Sequence, residues 1–264
     1  MEKKTVLITG CRGGIGRDTA VRLALRGHHV IATVHREESV DELKAYAKSQ
    51  GVSLDVFKLD ILEASERKKV QDLKVDVLVN NAAIGESGPL LEVPMERVRS
   101  NFETNLFGTM ELTRQVLSMM MKRDSGRVIF ISSIAGRLPM SFWGPYSMTK
   151  FSLSAAASIL RDELKLITRN VFVSVVEPGT YHTGFNQRVM ATRYAWLNES
   201  SFFHGVIEKY RKNEEANFKM LERKSTVSIV NKIVESVESK KPRLRYSAPW
   251  WQALFVGIAR AFGR

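Results

Sequence analysis

Residues 9–16 read Thr-Gly-Cys-Arg-Gly-Gly-Ile-Gly and decide the fold class. They follow a short apolar run, residues 5–9, and precede a segment of helical periodicity that carries Ala20, Leu23 and Ala24 on one side. Glycines let a backbone turn tightly and approach an anion, and the free N–H groups of a helix N-terminus bind that anion. Strand, loop and helix in this order predict a phosphate-binding turn; the alternative is a structural strand-to-helix turn.

Outward from this loop, short β-rich apolar runs alternate with longer helical segments. This alternation is typical of βαβ units, in which helices cover both faces of a parallel sheet. The sequence therefore predicts an α/β fold, a Rossmann-type doubly wound parallel sheet flanked by helices, with ligands at the carboxyl ends of the strands. The predicted strands are 5–9, 29–34, 54–58, 75–80, 127–132 and 171–177, and the predicted helices are 15–26, 39–49, 64–73, 95–123 and 146–167.

The composition is that of a globular protein: 264 residues, 44% hydrophobic and 26% charged. It excludes disordered and collagen-like chains, and because no Pro/Gly/Ser-rich linker interrupts it we expect one domain over residues 1–264. The single cysteine, Cys11, cannot form an intramolecular disulfide, and the apolar run at residues 5–8 is too short for a signal-peptide core. A cytoplasmic location is therefore expected.

The net charge of +12 favours anionic partners: nucleic acid, acidic lipid or a phosphorylated cofactor. Nucleic acid is the weakest of these, because no basic stripe with interleaved aromatics coincides with a known reading element, so no nucleic-acid partner is predicted. The charge excess is uneven, since no acidic residue follows Glu238. The cations beyond it are Lys240, Lys241, Arg243, Arg245, Arg260 and Arg264.

The second predicted strand leads into His35 and Arg36. In dinucleotide-binding units an acid at this place hydrogen-bonds the ribose 2′-OH and repels a 2′-phosphate. No acid ends this strand, and Arg12 and Arg36 can both donate to a phosphate, so the sequence favours NADP(H) over NAD(H). Glu37 and Glu38 would oppose a phosphate if they turned inward, but acids also suit the start of the next helix.

Tyr146 and Lys150 are four residues apart in a segment of helical composition, which places both side chains on one helix face. A phenol with a pKa of about 10 is a poor acid or base at neutral pH, but a neighbouring ammonium lowers that value. Ser133 directly follows the fifth predicted strand, at the carboxyl edge of the sheet where Tyr146 is also expected. Asn105 is unfavourable on a buried helix face unless it serves a hydrogen-bond network.

The chain resembles the classical short-chain dehydrogenase/reductases over nearly its whole length. The matching motifs are Thr9-Gly10-xxx-Gly14-x-Gly16, Asp60, Asn80-Asn81-Ala82, Asn105, Ser133, Tyr146-xxx-Lys150 and Pro178-Gly179. The resemblance implies an oxidoreductase that transfers a hydride between a nicotinamide and a carbonyl or hydroxyl group, and a homodimer or homotetramer. Ala83 departs from the motif, which usually has glycine there, and the spacing of 13 to Tyr146 selects Ser133 over Ser132.

The resemblance also implies the catalytic roles. Tyr146 would be the proton donor or acceptor at the substrate oxygen, and Ser133 would hold that oxygen. Lys150 would bind the nicotinamide ribose and tune Tyr146, while Asn105 would support a water-linked proton relay. No metal is predicted.

The predicted cofactor-binding residues follow the same motifs. Asp60 with Ile61 would contact adenine, and Asn81 would lie beside the adenine ribose. Glu177 would frame the nicotinamide end together with Thr183. The full predicted set is Gly10, Arg12, Gly13, Gly14, Ile15, Gly16, His35, Arg36, Asp60, Ile61, Asn81, Ala82, Ala83, Tyr146, Lys150, Pro178, Gly179 and Thr183.

Residues 180–225 break the βα alternation and are rich in aromatic residues, which predicts a helical substrate lid; the alternative is a peripheral helical pair. The large apolar side chains nearby favour a lipophilic substrate, steroid-like, retinoid-like or another lipid ketone or alcohol. Residues 177–185 and 242–246 are similar to the subgroup with 17β-hydroxysteroid dehydrogenase type 1 and the retinol dehydrogenases. The predicted pocket residues are Ser133, Met140, Trp143, Tyr146, Tyr181, His182 and Phe185.

Residues 240–264 form a basic hydrophobic tail. Helical spacing sets Gln252, Val256, Arg260 and Arg264 in one row and leaves a broad apolar face with two tryptophans. Such a helix can lie in a membrane interface, attracted by anionic lipid. The alternatives are a dimer or pocket-rim contact and simple packing on the body.

Two other functions compete with an NADP(H)-dependent oxidoreductase. A catalytically idle NADP(H)-binding sensor or scaffold predicts erosion of the catalytic group, yet Asn105, Ser133, Tyr146 and Lys150 are all present. An epimerase or dehydratase predicts a sugar-nucleotide domain, and the aromatic C-terminal third argues against it.

Overall fold

A computed structural model describes residues 2–194 and 196–263. Seven parallel strands form one sheet in the order β3-β2-β1-β4-β5-β6-β7. The chain runs outward from β1 in one direction and from β4 in the other, so a crevice opens at the carboxyl ends of these two neighbours. The predicted fold class is confirmed. The strands are β1 (Thr5–Ile8), β2 (His29–Val34), β3 (Asp55–Lys58), β4 (Val77–Asn80), β5 (Gly126–Ile131), β6 (Val171–Pro178) and β7 (Arg245–Ala248).

Helices cover both faces of the sheet, as the doubly wound pattern requires. Within the described residues they are α1 (Gly14–Leu25), α2 (Glu38–Ser49), α3 (Ala64–Lys68), α4 (Met95–Phe102), α5 (Thr109–Lys122), α6 (Gly144–Lys165), α7 (Phe185–Tyr194), α8 (His204–Leu221), α9 (Val227–Glu238) and α10 (Trp250–Ala261).

Alternate residues of β1 supply two separate cores. Val6 and Ile8 pack in one apolar cluster with residues of α1, α2 and α9, and Leu7 packs in the other with residues of α5 and α6. Successive side chains of a strand point to opposite faces, and both faces of this sheet are buried. This is why the strands read as continuous apolar runs in the sequence.

Two predicted helices differ in the structure. The helix predicted over 64–73 ends at Lys68, because turn bonds such as Val70 N to Arg67 O (3.1 Å) tighten the chain and bury Val70 completely. The helix predicted over 95–123 is divided by a π-helical segment, Glu103–Gly108, which carries Asn105. Such segments are frequent at functional sites.

The predicted lid region, residues 180–225, contains α7 and α8, and its two ends lie side by side. His182 N donates to Arg223 O, and Arg223 N donates to Thr180 O, both at 2.9 Å. The region is therefore a helical excursion that leaves and rejoins the body at one place, at the carboxyl end of β6.

The tail contains a strand that the sequence analysis missed. β7 pairs with β6 at the sheet edge, and α10 follows it. Gln252 and Val256 are the buried residues of α10, while Arg264 lies outside the described residues. In the described part of the chain, no helix combines the length and the apolar character that crossing a bilayer requires.

Candidate active site

A cleft of about 1060 Å³ opens at the carboxyl ends of β1 and β4. It extends from the glycine loop to Tyr146 and on to Phe185 of α7. Every residue of the predicted cofactor-binding set lines it, whereas Glu177, named with them, does not. The carboxylate of Glu177 is buried and pairs with Arg137 and Arg245. Lining residues that the sequence analysis did not name as cofactor-binding or pocket residues include Leu59, Leu62, Ile84, Thr104, Asn186 and Arg188.

The glycine loop is fitted tightly against the end of β4. Gly10 has φ +70°, and a Cβ there would lie 2.7 Å from Ala82 Cα. Gly14 has φ +57°, and its Cβ would lie 3.0 Å from Thr183 Cβ. The Asn81 side chain donates to Gly10 O at 3.0 Å. These positions tolerate only glycine, because side chains rarely adopt positive φ and the space is already filled.

The N-terminus of α1 opens into the same cleft. Among the described residues no side chain caps it and no acid lies in its first turn, so its N–H groups are available to an anion. Gly13 lines the cleft, and a Cβ there would meet nothing within 4 Å. A dinucleotide pyrophosphate fits this cradle of backbone donors and open space.

The corner beyond the loop combines cations and acids. Arg12, His35 and Arg36 line the cleft and an adjoining recess of about 710 Å³. His35 Nδ1 lies 3.4 Å from Asp60 Oδ2. Glu38 is the first residue of α2, as expected, but it also lines the recess together with Glu37 and Glu42.

Tyr146 and Lys150 lie one turn apart on α6, both buried at the cleft floor. Lys150 Nζ donates to Ile131 O at 2.8 Å and lies 5.6 Å from the centre of the Tyr146 ring. Burial lowers the pKa of Lys150 to about 7. Burial also raises the pKa of Tyr146, although its hydrogen bond with Ser133 acts in the opposite direction.

The two adjacent serines have different partners. Ser133 meets the Tyr146 hydroxyl, and its Oγ accepts from Ala135 N at 3.1 Å. Ser132 Oγ instead donates to Lys150 O at 3.0 Å and bonds Ser154 Oγ at 2.8 Å. The structure therefore places Ser133, not Ser132, against the Tyr146 hydroxyl.

Asn105 holds two parts of the site together. Its side chain accepts from Ile84 N at 2.9 Å and donates to Ile84 O at 2.9 Å and to Thr149 Oγ1 at 3.0 Å. Thr149 Oγ1 in turn donates to Tyr146 O at 2.8 Å. The amide is thus engaged in tying the loop after β4 to α6, and Asn105 does not line the cleft.

The predicted substrate residues fall into two groups. Phe185 and Tyr181 line the cleft, with the Phe185 ring 5.4 Å from that of Tyr146. Trp143 and Met140 do not: Trp143 packs behind Tyr146, and Met140 belongs to the partly exposed loop before α6. His182 is the clearest departure, because its exposed ring pairs with Glu222 at 2.7 Å in a neighbouring hollow.

The comparison with known proteins agrees with this geometry. Residues 4–193 match the model of the short chain dehydrogenases. This chain belongs to the short-chain dehydrogenase family. Human retinol dehydrogenase 8 is 36% identical over 197 residues, 71% of this chain and 62% of that protein. Human 17-beta-hydroxysteroid dehydrogenase type 1 is 30% identical over 258 residues, 93% of this chain and 77% of that protein.

A solved structure extends the similarity to the whole fold. A variant of the actinorhodin polyketide ketoreductase, solved with NADPH, has a TM-score of 0.78 and 25% identity, covering 93% of this short-chain dehydrogenase and 95% of that chain. Over the described ranges, no cluster of three or more His, Cys, Asp or Glu is placed to hold a metal ion.

Proposed function

We propose that the protein is an NADP(H)-dependent oxidoreductase acting on the carbonyl or hydroxyl group of a lipophilic substrate. One observation carries the proposal: Ser133, Tyr146 and Lys150 meet at the floor of the cleft that begins at the glycine loop. The bound cofactor supplies or accepts the hydride, and the protein supplies orientation, proton transfer and exclusion of water.

Each residue of the site has a separate role in the proposed reaction, set by its position. Tyr146 gives its phenolic proton to the carbonyl oxygen during reduction and takes it back during oxidation. Ser133 holds that oxygen beside the phenol. Lys150 lies within 5.6 Å of the ring, and its ammonium form favours the phenolate, which opposes the effect of burial on the Tyr146 pKa. Asn105 keeps α6 fixed against the loop after β4.

The preference for NADP(H) rests on the corner at the end of β2. Arg12 and Arg36 line the recess there with His35, and both guanidinium groups are exposed. A 2′-phosphate would gain charge-assisted bonds from both guanidinium groups. Glu37 and Glu38 would repel it, but the net interaction is unfavourable only if these carboxylates lie closer to the phosphate than the arginines do.

The proposal of a lipophilic substrate is based on the apolar side chains of the lid. Phe185 packs on Tyr146, and Val189 and Met190 belong to the same apolar cluster. A carbonyl that reached Tyr146 from the lid side would therefore pass apolar surface. The names of the retinol and 17-beta-hydroxysteroid dehydrogenase relatives agree with this class of substrate.

The tail and the assembly complete the proposal. We infer a cytoplasmic protein that touches anionic membranes through α10, and a homodimer or homotetramer built on other faces. Exposed apolar side chains support both: Phe107 and Met148 on the body, and a separate row on the tail. The tail row is Trp250, Leu254, Phe255, Ile258 and Phe262.

The first experiment measures the initial rates of NADPH and of NADH oxidation with steroid ketones, retinal and long-chain carbonyls. NADPH turnover that is lost in Tyr146→Phe is the expected result. A protein that binds NADPH but consumes neither cofactor with any carbonyl would overturn the proposal and favour the idle sensor or scaffold.

A further inference from the structure

The lid contains a buried ion pair that the proposed chemistry does not use. Arg193 of α7 is fully buried, and its Nη1 lies 2.8 Å from Oε2 of Glu214 in α8, a residue that is 6% exposed. Its Nη2 lies 3.3 Å from Glu214 Oε1. Taking two charges out of water is expensive, and a buried pair is often no more stabilising than apolar residues of similar volume. Stabilisation of the fold therefore does not explain this pair, and its contacts with neighbouring residues indicate what it does.

The pair holds the loop that precedes the catalytic tyrosine. Glu214 Oε1 accepts from Trp143 Nε1 at 2.6 Å, and Arg193 Nη2 donates to Phe142 O at 3.3 Å. Gly88 N donates to the same carbonyl at 2.7 Å. Phe142 has φ +64°, a conformation that a bulky residue keeps only when its surroundings impose it.

Trp143 connects this loop to the reacting phenol. It directly precedes α6, and its carbonyl accepts from Ser147 N at 2.8 Å, which fixes the first turn of that helix. Its ring meets the Tyr146 ring edge-on at 6.1 Å and stacks on Phe218 of α8 at 5.5 Å. A displacement of the indole would therefore move the start of α6 and the face on which Tyr146 rests.

We propose that Arg193 and Glu214 are positioning residues, which hold Phe142 and Trp143 and thereby orient the Tyr146 hydroxyl toward Ser133 only while α7 and α8 are seated. The inference rests on the proposed function, because the orientation of Tyr146 matters to chemistry only if it transfers a proton. The Tyr146 hydroxyl is then oriented for proton transfer when the lid is closed and is held less firmly when the lid opens.

The decisive variant replaces the pair without leaving a lone buried charge. Arg193→Met combined with Glu214→Leu keeps the volume apolar, so the lid stays packed while the bonds to Trp143 and Phe142 disappear. Trp143→Phe is the second variant, since it keeps a six-membered aromatic ring behind Tyr146 and removes the indole N–H together with the five-membered ring that carries it. A control away from the cleft is Arg26→Met with Glu238→Leu, which removes a more exposed ion pair between the residue after α1 and the last residue of α9.

Steady-state kinetics separate positioning from packing. We expect the double lid variant to unfold near the wild-type temperature, to keep the KM for NADPH, and to lose about 10²-fold in kcat, with a shifted pH profile. Trp143→Phe should lose a smaller factor in the same direction. A wild-type kcat and pH profile in the double lid variant would overturn the inference, as would an equal loss in the control pair.

A readout without turnover separates this inference from the proposed function. With 3-fluorotyrosine incorporated, the ¹⁹F resonance that disappears in Tyr146→Phe reports the surroundings of this ring. We expect that resonance to shift or split in the double lid variant and to stay unchanged in the control pair. If the wild type reduces no carbonyl, the proposed function fails, while a shifted resonance still supports the positioning role of Arg193 and Glu214. An unmoved resonance overturns that role even in an active enzyme.

Discussion

Lys150 and Tyr146 share one face of α6, and the Lys150 Nζ lies 5.6 Å from the centre of the Tyr146 ring with its own hydrogen bond to Ile131 O. No carboxylate among the described residues pairs with this ammonium, so its charge is buried without a countercharge. The pKa of Lys150 consequently falls to about 7 through burial, from an ordinary value of 10.5. Proton binding at Lys150 is thereby linked to folding.

The first prediction is a pH-dependent stability difference between the wild type and Lys150→Met. Between pH 7 and 10.5 the unfolded chain binds a proton that the folded chain does not, so the free energy of unfolding of the wild type rises with pH through this window. The cost of the lysine is complete below about pH 7 and vanishes above about 10.5. The advantage of Lys150→Met over the wild type in free energy of unfolding should therefore be largest at about pH 7.

Urea unfolding of both proteins without cofactor at pH 7 and pH 9 checks this prediction. The variant also loses the bond to Ile131 O, but that loss does not change with pH. The advantage of the variant over the wild type should shrink between the two pH values. A constant difference would mean that Lys150 titrates as an ordinary lysine in the folded protein.

The second prediction concerns Arg36 and the choice of cofactor. If Arg36 donates to a 2′-phosphate, Arg36→Ala should lose about 1.5–3 kcal/mol of NADPH binding, roughly 10- to 150-fold in Kd, and leave NADH binding nearly unchanged. Fluorescence titration with both cofactors measures the change. The control is Lys58→Ala, which removes a cation of the same recess that is already paired with Glu66 at 2.7 Å. Equal losses for both cofactors would remove the argument for NADP(H).

Much of this site could be read from the sequence because its residues follow chain-local rules. The glycine loop needs positive φ at Gly10 and Gly14, and the pair at 146 and 150 needs only a helix. His182 could not be placed in this way. Its neighbours in the chain predict a place in the pocket, but its ring pairs with Glu222, forty residues on, and lies outside the cleft.

The same limit applies to the Arg193–Glu214 pair and to β7. Nothing near Arg193 in the sequence indicates that Glu214 and Trp143 will meet it, because all three come together only when α7 and α8 fold over the loop before α6. β7 is short and lies at the sheet edge, where only the pairing with β6 identifies it as a strand. Both features depend on contacts between segments that are distant in the sequence, so a local pattern does not predict them.

The third prediction tests how closely the lid must fit. A Cβ at Gly85 would overlap Val189 Cγ2 and lie 3.1 Å from Phe185 Cζ, so Gly85→Ala should lift α7 from the loop after β4. We expect kcat/KM for the carbonyl to fall by about 10-fold or more while the Kd of NADPH is retained.

Gly205→Ala is the matched control for that substitution. Gly205 is an exposed residue of α8 that does not line the cleft, and its Cβ would meet nothing within 4 Å. Its kinetics should stay close to the wild type. If Gly85→Ala were equally active, α7 would not need its present seat for turnover.

The fourth prediction concerns the exposed apolar row of α10. Trp250 and Phe255 are 75% and 62% exposed, in a tail without acidic residues, so the helix presents apolar surface beside positive charge. Burial of one such side chain in a lipid interface is worth about 1.5–3 kcal/mol, so Trp250→Ala or Phe255→Ala should weaken vesicle binding by roughly tenfold or more. Co-sedimentation with phosphatidylserine vesicles measures it.

The lipid composition and a control substitution distinguish membrane binding from other contacts of this surface. Binding should fall with added salt and with pure phosphatidylcholine, because the flanking cations contribute attraction to anionic lipid. Phe107→Ala removes an exposed aromatic side chain of the body, 51% exposed, and should leave vesicle binding unchanged. If the tail variants instead lowered the oligomeric state and left vesicle binding intact, α10 would be a subunit contact, because a face buried between subunits is not available to lipid.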